Sequence, residues 1–322
     1  MTAVRAYADA DAPAWVALSN LILGRSVTVE SFQAEEARRD PAQFSRRWVV
    51  EDGGELRGGL RGGAHLYFFP FDPPGHLHLS IFVHPEARGR GIGRELWKEL
   101  RATQEANVEV LVADVLDTDP DSLAWAERRD FCKHAHRFAS ELDLTTFDET
   151  PHLPALARVA AQGVTFTDLS GADDATVERY LHFVADRATE TPDLAGHPRW
   201  PLPQVREILH LDHDPRPDWL LLAVGPQGEW LGTTAMIRIR DFVYNELTAT
   251  HPQARGRGLA LPLKLHAIRR AREAGFSVMR TNNHSTNAPM LRVNARLGFQ
   301  ARPGRYELHL PLGNVSPPTS GV

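Results

Sequence analysis

An eight-residue phrase occurs twice in this chain, and its recurrence constrains the fold more than any other feature. Residues 84–91 read HPEARGRG and residues 251–258 read HPQARGRG, identical at seven of eight positions with an offset of 167 residues. In a chain of 322 residues, long enough for two ordinary domains each with its own core, such a repeat reads as a duplicated domain. Chance is a poor explanation, because the surroundings of the two copies also correspond.

A strand-like run precedes each copy, HLHLSIFV at 76–83 and FVYNELTAT at 242–250. An amphipathic helix follows each: Ile92, Leu96, Trp97 and Leu100 keep helical spacing in the first, Leu261, Leu265 and Ile268 in the second. Pro262 falls in the opening turn of its helix, where its missing N–H costs little. Next come a short strand (109–115; 277–281), a helix (121–129; 287–297) and a turn into a final strand. Each half also opens alike, with a short strand at 4–7 or 164–167, then a helix, then two strands joined by a turn. In the second half those two are 219–224 and 230–239, around the turn GPQG. Pro151, Pro154 and the apolar-periodic stretch 156–161 mark a junction. The expected division is a first domain over 1–148, a linking helix over 149–162, a second domain over 163–313 and a disordered tail, NVSPPTSGV, over 314–322.

Composition narrows the class. A hydrophobic fraction of 42% and a charged fraction of 24% are those of a soluble globular protein, and no run of apolar residues is long enough to span a membrane. The N-terminal stretch MTAVRAYADADAPAW lacks the basic start and apolar core of a signal peptide. One cysteine, Cys132, permits neither an internal disulfide nor a Cys-based zinc site. A reducing cytoplasm is the expected location. The net charge of −5 argues against a nucleic-acid binder. Of the 36 basic residues, only Lys98, Lys133 and Lys264 are lysine, which reads as compositional bias rather than phosphate recognition. The fifteen histidines include strand-spaced pairs such as His76 and His78, but no set at helical spacing completes a metal site, so none is expected.

A strand, then an Arg-Gly-rich turn, then a helix is physically a phosphate cradle. Glycines allow the backbone close to an anion, and a helix N-terminus presents unpaired N–H groups and a favourable dipole. Arg88 and Arg255 add charge at the rim. The plainer alternative is a tight strand-to-helix connection. No Lys-Ser or Lys-Thr follows the glycines, which disfavours a nucleoside-triphosphate P-loop, and the spacing is not the G-x-G-x-x-G of a dinucleotide fold.

The turns Arg88-Gly89-Arg90-Gly91-Ile92-Gly93 and Arg255-Gly256-Arg257-Gly258-Leu259-Ala260 resemble the R/Q-x-x-G-x-G/A motif of the GNAT (Gcn5-related) N-acetyltransferase superfamily. The resemblance covers nearly the whole chain. It implies an α/β fold of two tandem acyl-CoA N-acyltransferase domains, each a mixed, mostly antiparallel sheet flanked by helices. In that family the turn binds the pyrophosphate of acetyl-CoA and the preceding strand pairs with the pantetheine arm. Matching positions place those contacts at Phe82 and Val83 in the first half and at Thr248, Ala249 and Thr250 in the second. The stretch NAPMLRVNARLGF at 287–299 resembles the family's late helix, so Asn287 matches a cofactor-contacting asparagine. Asn294 stands where the family carries a tyrosine that often protonates the departing thiolate, which puts it among the catalytic positions. The first half keeps only the closing Phe131 there, with Asp119 and Ala126 in place of the asparagines. Two such domains in one chain of this length are similar to the tandem arrangement of the mycothiol synthase group.

Acetyl transfer to an amine needs a neutral amine, a polarised thioester and a protonated leaving group. Glu246 lies inside the strand before the second turn, and strict alternation puts it on one face with Tyr244 and Thr248. A carboxylate within a strand is costly to bury unless paired or used. It is the candidate general base, the alternative being a solvated or salt-bridged strand residue. The offset of 167 sets Leu79 opposite Glu246, although a bulge would bring the neighbouring His78 across. Cys132 as a nucleophile is disfavoured against a buried structural thiol. The expectation is therefore direct attack by a small amine substrate in a ternary complex, catalysed by the second half. Its acceptor pocket is expected within 168–217, where Tyr180, His182, Phe183, Trp200, His210 and His213 lie. An acyl-CoA sensor and an aminoacyl transferase on the doubled fold remain as alternatives. A tRNA donor would need a broad basic surface, which the acidic balance opposes.

Overall fold

The computed structural model describes residues 3–24, 26–41, 43–51, 59–69, 72–103, 107–194 and 197–313; the expected tail at 314–322 lies outside them. The first half runs β1 (Val4–Ala6), α1 (Ala12–Leu23), α2 (Val29–Arg38), β2 (Ser45–Glu51), β3 (Leu60–Tyr67), β4 (His76–Val83), α3 (Ile92–Ala102), β5 (Val110–Leu116), α4 (Pro120–Glu127) and β6 (Cys132–Asp143). The second runs α5 (Leu153–Ala160), β7 (Thr165–Asp168), α6 (Asp174–Ala188), α7 (Leu202–Ile208), β8 (Leu220–Val224), β9 (Trp230–Ile239), β10 (Phe242–Thr250), α8 (Ala260–Glu273), β11 (Val278–His284), α9 (Ala288–Arg296) and β12 (Gln300–Pro311). The repeated order of elements is the expected one, except that two helices, rather than one, separate the first two strands of each half. Boundaries move by a few residues, as cap geometry makes usual.

Two compact units emerge, and neither is contiguous. One comprises Met1–Val115, Asp121–His134 and Glu307–Val322; the other comprises Leu116–Pro120 and Ala135–Tyr306. Within the second unit, β6 from the first half pairs antiparallel with β11 over seven positions, from Arg137↔His284 to Asp143↔Val278. Within the first, the segment from Glu307 onward lies beside β5, and the Leu312 amide bonds the Glu109 carbonyl at 2.7 Å. The halves have thus exchanged their final strands, so the expected cuts at 148 and 163 do not delimit the compact units. Both final strands are 12 residues long, and the repeat alone does not say which sheet takes which. The expected linking helix, α5, belongs to the second unit and packs through Ala155, Leu156 and Val159.

The first unit orders its strands β1-β2-β3-β4-β5, antiparallel except for β4 beside β5. A Cβ on Gly63 would strike Trp15 of α1, and one on Gly62 would strike Ile92 of α3. Adjacent strand residues thus face helices on opposite sides. The second unit runs β6-β11-β10-β9-β8-β7, with only β10 and β11 parallel. On one face, α8 contributes Leu261, Leu265 and Ile268 to a core with Met236, Val243, Met279 and Phe299. On the other, Tyr180 of α6 is fully buried and its hydroxyl lies 2.8 Å from that of Thr233. Tyr180, expected in the acceptor pocket, is a core residue.

A polar knot interrupts the α8 face. Lys264 is 1% exposed, and its ammonium donates to Asn245 Oδ1 at 2.6 Å. The Thr248 hydroxyl donates to the same oxygen at 3.0 Å, while Asn245 Nδ2 donates to the Thr234 hydroxyl at 2.8 Å. One hydrogen bond to a neutral amide, worth about 1 to 3 kcal/mol, does not offset the desolvation of a buried ammonium. Burial accordingly pulls the Lys264 pKa down to about 7. The unfolded chain, with an ordinary lysine near 10.5, binds more protons than the native state between these values. Lys264 therefore destabilises the fold most below pH 7 and ceases to do so above pH 10.5. The variant Lys264→Met is expected to be more stable than the wild type at about pH 6, by on the order of a few kcal/mol. That advantage should shrink steadily as pH rises. Urea unfolding across this range checks it; parallel stability profiles for the two proteins would refute the assignment.

Candidate active site

The histidine, proline and alanine of the repeated phrase serve local structure. His84 Nδ1 accepts the Glu86 amide and His251 Nδ1 the Gln253 amide, each at 3.3 Å, capping a short 3-10 turn that Pro85 or Pro252 opens. Ala87 and Ala254 are each 1% exposed and fasten the turn to its sheet. The Arg-Gly portion carries the positive-φ glycines. Gly89 and Gly91 have φ of +76° and +82°, Gly256 and Gly258 of +77° and +80°, conformations costly to any residue with a Cβ. At Gly256 and Gly258 no atom lies within 4 Å of where a Cβ would stand. The glycines are therefore required by the backbone, and the space before them is open. Gly91 precedes α3 and Leu259 precedes α8 without a side-chain cap, so no capping side chain claims the first-turn amides. An open, uncapped helix start fits a phosphate anion. Arg255 pairs with Glu190, which also binds Arg187 at 2.6 Å, and Arg257 Nε donates to Gln162 Oε1 at 3.2 Å.

The strand before each turn separates from its parallel neighbour. In the second unit the parallel register covers only Val243↔Met279 and Tyr244↔Arg280, while β10 continues to Thr250 against β9. Where the ladder ends, the Thr281 hydroxyl donates to the Asn245 carbonyl at 3.0 Å. Thr248, Ala249 and Thr250 thus lie on a stretch of β10 without a register partner on β11, as pantetheine pairing requires. In the first unit the ladder ends at Leu79↔Ala113, leaving Phe82 and Val83 in the matching position.

Glu246 stands where the parting begins. The β9–β10 register jumps from Asn245↔Met236 to Leu247↔Ala235, which makes Glu246 the extra residue of a β-bulge. The bulge inverts the alternation expected from sequence. Thr248 shares a face with Asn245, to which it is hydrogen-bonded, and not with Tyr244, which lies opposite Ile237. Glu246 is partly exposed. The first unit has no counterpart: β3 and β4 keep an unbroken register through Leu66↔Leu79, and Leu79 is 5% exposed.

Other expected positions take different parts. The Asn287 side chain caps α9 by accepting the Met290 amide at 3.3 Å. Asn294 is 3% exposed, its Nδ2 committed to Asn283 Oδ1 at 2.7 Å and its Oδ1 buried without a protein partner. An amide so placed offers an acceptor and no titratable proton, so it is no replacement for a tyrosine acid. Cys132 is exposed rather than buried. His182 and Arg199 bond each other at 2.9 Å, and Trp200 packs beside the α6–α7 core.

Two arrangements escaped sequence reading. One is the Lys264–Asn245–Thr248 knot beneath the bulge. The other, in the first unit, is His78, 7% exposed, whose Nδ1 lies 3.3 Å from Asp72 and whose Nε2 lies 3.6 Å from Asp114. Burial lowers its pKa, but hydrogen bonds to Asp114 and Asp72 outweigh this and raise it to about 9. No bulge brings it across; it faces the α1 side while Leu79 faces α3. Only the i, i+2 spacing of strand residues hinted at a site there.

The halves also differ beside their turns. A Cβ on Gly93 would lie 3.4 Å from the Trp125 indole, and Trp97 meets both Trp125 and Phe131 edge-on or tilted. The residue equivalent to Trp97 is Lys264, whose ammonium lies 5.1 Å from the Phe299 ring centre.

The model of the acetyltransferase (GNAT) family matches twice, over residues 15–131 and 183–299. No curated protein matches the sequence. Among solved structures, a GCN5-related N-acetyltransferase from Sphaerobacter thermophilus aligns over 96% of this chain and 95% of its own, at 17% identity and a TM-score of 0.66. A tandem GNAT protein from the clavulanic acid biosynthesis pathway aligns over 98% and 100%, at 20% identity and a TM-score of 0.63. A glucosamine N-acetyltransferase region of a fungal multi-domain β-N-acetylglucosaminidase aligns over 96% of this chain and 38% of that one, at 15% identity and a TM-score of 0.70. At these identities the likeness is one of fold. The two family matches, with the parted strand and glycine turn present in each unit, carry the classification: the chain belongs to the acetyltransferase (GNAT) family and is an acyltransferase built from two GNAT domains.

Proposed function

We propose that the protein transfers an acetyl group from acetyl-CoA to a small amine by direct attack in a ternary complex, and that the second GNAT domain does the chemistry. The observation that supports this most is the bulge at Glu246, set where β10 leaves β11 and 12 residues before Gly258. Bulges re-aim side chains beside active sites, and here the re-aimed residue is the strand's one carboxylate.

The donor, when bound, supplies an activated acyl thioester. The amides of Gly256–Ala260 with Arg255 and Arg257 would hold its phosphates, and the β10 edge at Thr248, Ala249 and Thr250 its arm. Arg88, Gly89, Arg90, Gly91, Ile92 and Gly93, with Phe82 and Val83, would do the same in the first domain. Glu246 accepts a proton from the acceptor amine, directly or through water, which keeps the nitrogen lone pair available for attack. Asn287, whose Oδ1 caps α9, would contact the cofactor through its Nδ2. Asn294 contributes a polar wall rather than a proton. The lysine–asparagine–threonine knot holds the bulge in place from beneath.

Changing Glu246 to Gln keeps shape and removes the base, so turnover should fall by roughly two to four orders of magnitude. Acetyl-CoA affinity should hardly move, because the phosphate contacts lie on the turn. Near-normal turnover by a folded variant would remove Glu246 from the mechanism.

The two turns are expected to bind CoA alike while only the second supports transfer. At about one hundred times its dissociation constant, acetyl-CoA should add roughly 2.7 kcal/mol of stability, with no effect from ATP or NAD. Gly258→Asp places a carboxylate and a strained φ in the second cradle and should abolish turnover. Gly91→Asp should lose one CoA equivalent by calorimetry with at most a moderate loss of activity. A second reading, favoured by His78 between Asp72 and Asp114, places transfer in the first domain. A folded Gly91→Asp that is inactive while Gly258→Asp keeps turnover would establish that reading over ours. Equal inactivity of the two folded variants would show the domains to be directly coupled and our division of labour to be wrong.

A further inference from the structure

Strand alternation puts Glu307 and His309 on one face of β12. His134, the third residue of β6, belongs to the neighbouring strand of the sheet, and all three residues fall in the first unit. His309 Nε2 lies 2.9 Å and His134 Nε2 lies 3.9 Å from the same oxygen, Glu307 Oε1. The two imidazoles stack at 3.8 Å with an interplanar angle of 7°. One donor atom from each of the three residues lies within 4.8 Å of the others. A fourth ring, His76 of β4, stands 5.4 Å from that of His309. The Glu307 side chain is only 7% exposed.

We propose that His134, Glu307 and His309 form a binding site for a divalent transition ion of the zinc type. Two imidazole nitrogens and a carboxylate oxygen are a borderline donor set, suited to zinc and its neighbours and unsuited to magnesium or calcium, which prefer oxygen alone. Bonds of about 2.0 to 2.2 Å to a tetrahedral ion would set donors roughly 3.4 Å apart. The observed separations from Glu307, 2.9 and 3.9 Å, bracket that value. Binding must open the ring stack, because an ion lies in the plane of each imidazole that ligates it. His134, with a side chain 56% exposed, is the ring able to turn. The other two are held by strand packing, and water completes the shell.

The ligands come from positions 134 and 307–309, segments far apart in the chain that both belong to the first unit. An ion here ties the arriving C-terminal strand to its host. Its role is structural, independent of acetyl transfer.

The test uses untagged full-length protein stripped with a chelator, in wild-type form and with Cys132→Ser to remove the exposed thiol as a rival ligand. Zinc is titrated against a chromophoric chelator, and the melting temperature is followed in parallel. The expected result is one equivalent bound with micromolar or tighter affinity in both backgrounds, a raised melting temperature, and no shift with magnesium. His134→Ala, at an exposed position, and Glu307→Gln should each weaken zinc by at least about tenfold. Should Glu307→Gln fail to fold, His134→Ala alone decides. No zinc retained at micromolar concentration, binding lost with Cys132→Ser, or undiminished affinity in His134→Ala would overturn the proposal.

Discussion

In each unit the one pair of parallel strands cannot stay paired along its length, and the rest of the design follows from that. A parallel ladder is slanted and evenly spaced, and here it survives two register positions in the second unit and four in the first. Beyond that point one strand keeps its antiparallel neighbour and loses its parallel one. Backbone groups withdrawn from a ladder demand other partners. The Thr281 hydroxyl meets the first of them, the Asn245 carbonyl. The others lie on the stretch of strand that leads, a few residues later, to a glycine turn and the start of a helix. Such an edge and such a turn together suit an extended polar chain that carries phosphates, which is what supports the acyl-CoA reading.

Opening the sheet in this way is costly, and the two units meet the cost differently. The second places a bulge at the opening and supports it with Asn245, whose amide serves Lys264, Thr248 and Thr234 at once. A lysine driven by burial to a pKa of about 7 is an expensive support. Its presence under the bulge marks the spot as one where shape outweighs stability. The first unit keeps a regular strand there and fills the matching region with Trp97, Trp125 and Phe131. It holds its polar group on the opposite face, as an imidazole clasped by two carboxylates. The duplicated turn has therefore been preserved while the ground beneath it has diverged.

Much of this was legible in the sequence because it is local. The 3.6 and 2.0 periodicities, the proline positions and the repeated turn led to the order of strands, the two glycine-rich turns and the helices that follow them. Alternation failed at Glu246. A bulge is decided by how β10 fits β9, and nothing in FVYNELTAT announces that two residues will oppose one. The His134–Glu307–His309 cluster was invisible for a related reason. Helical spacing was the wrong template for ligands contributed by two strands, and positions 173 residues apart meet only through sheet order.

By itself, the amino-acid sequence determined that the chain is a doubled domain, that each copy carries a glycine-rich strand–turn–helix, and that a carboxylate in the strand before that turn belongs to the second copy alone. These are properties of neighbours along the chain, set by backbone sterics and hydrophobic period. Only the tertiary structure decided which final strand completes which sheet, that Glu246 sits in a bulge, and that Lys264 lies buried beneath it. Each of those depends on edges and cavities presented by residues distant in sequence, and packing settles the outcome.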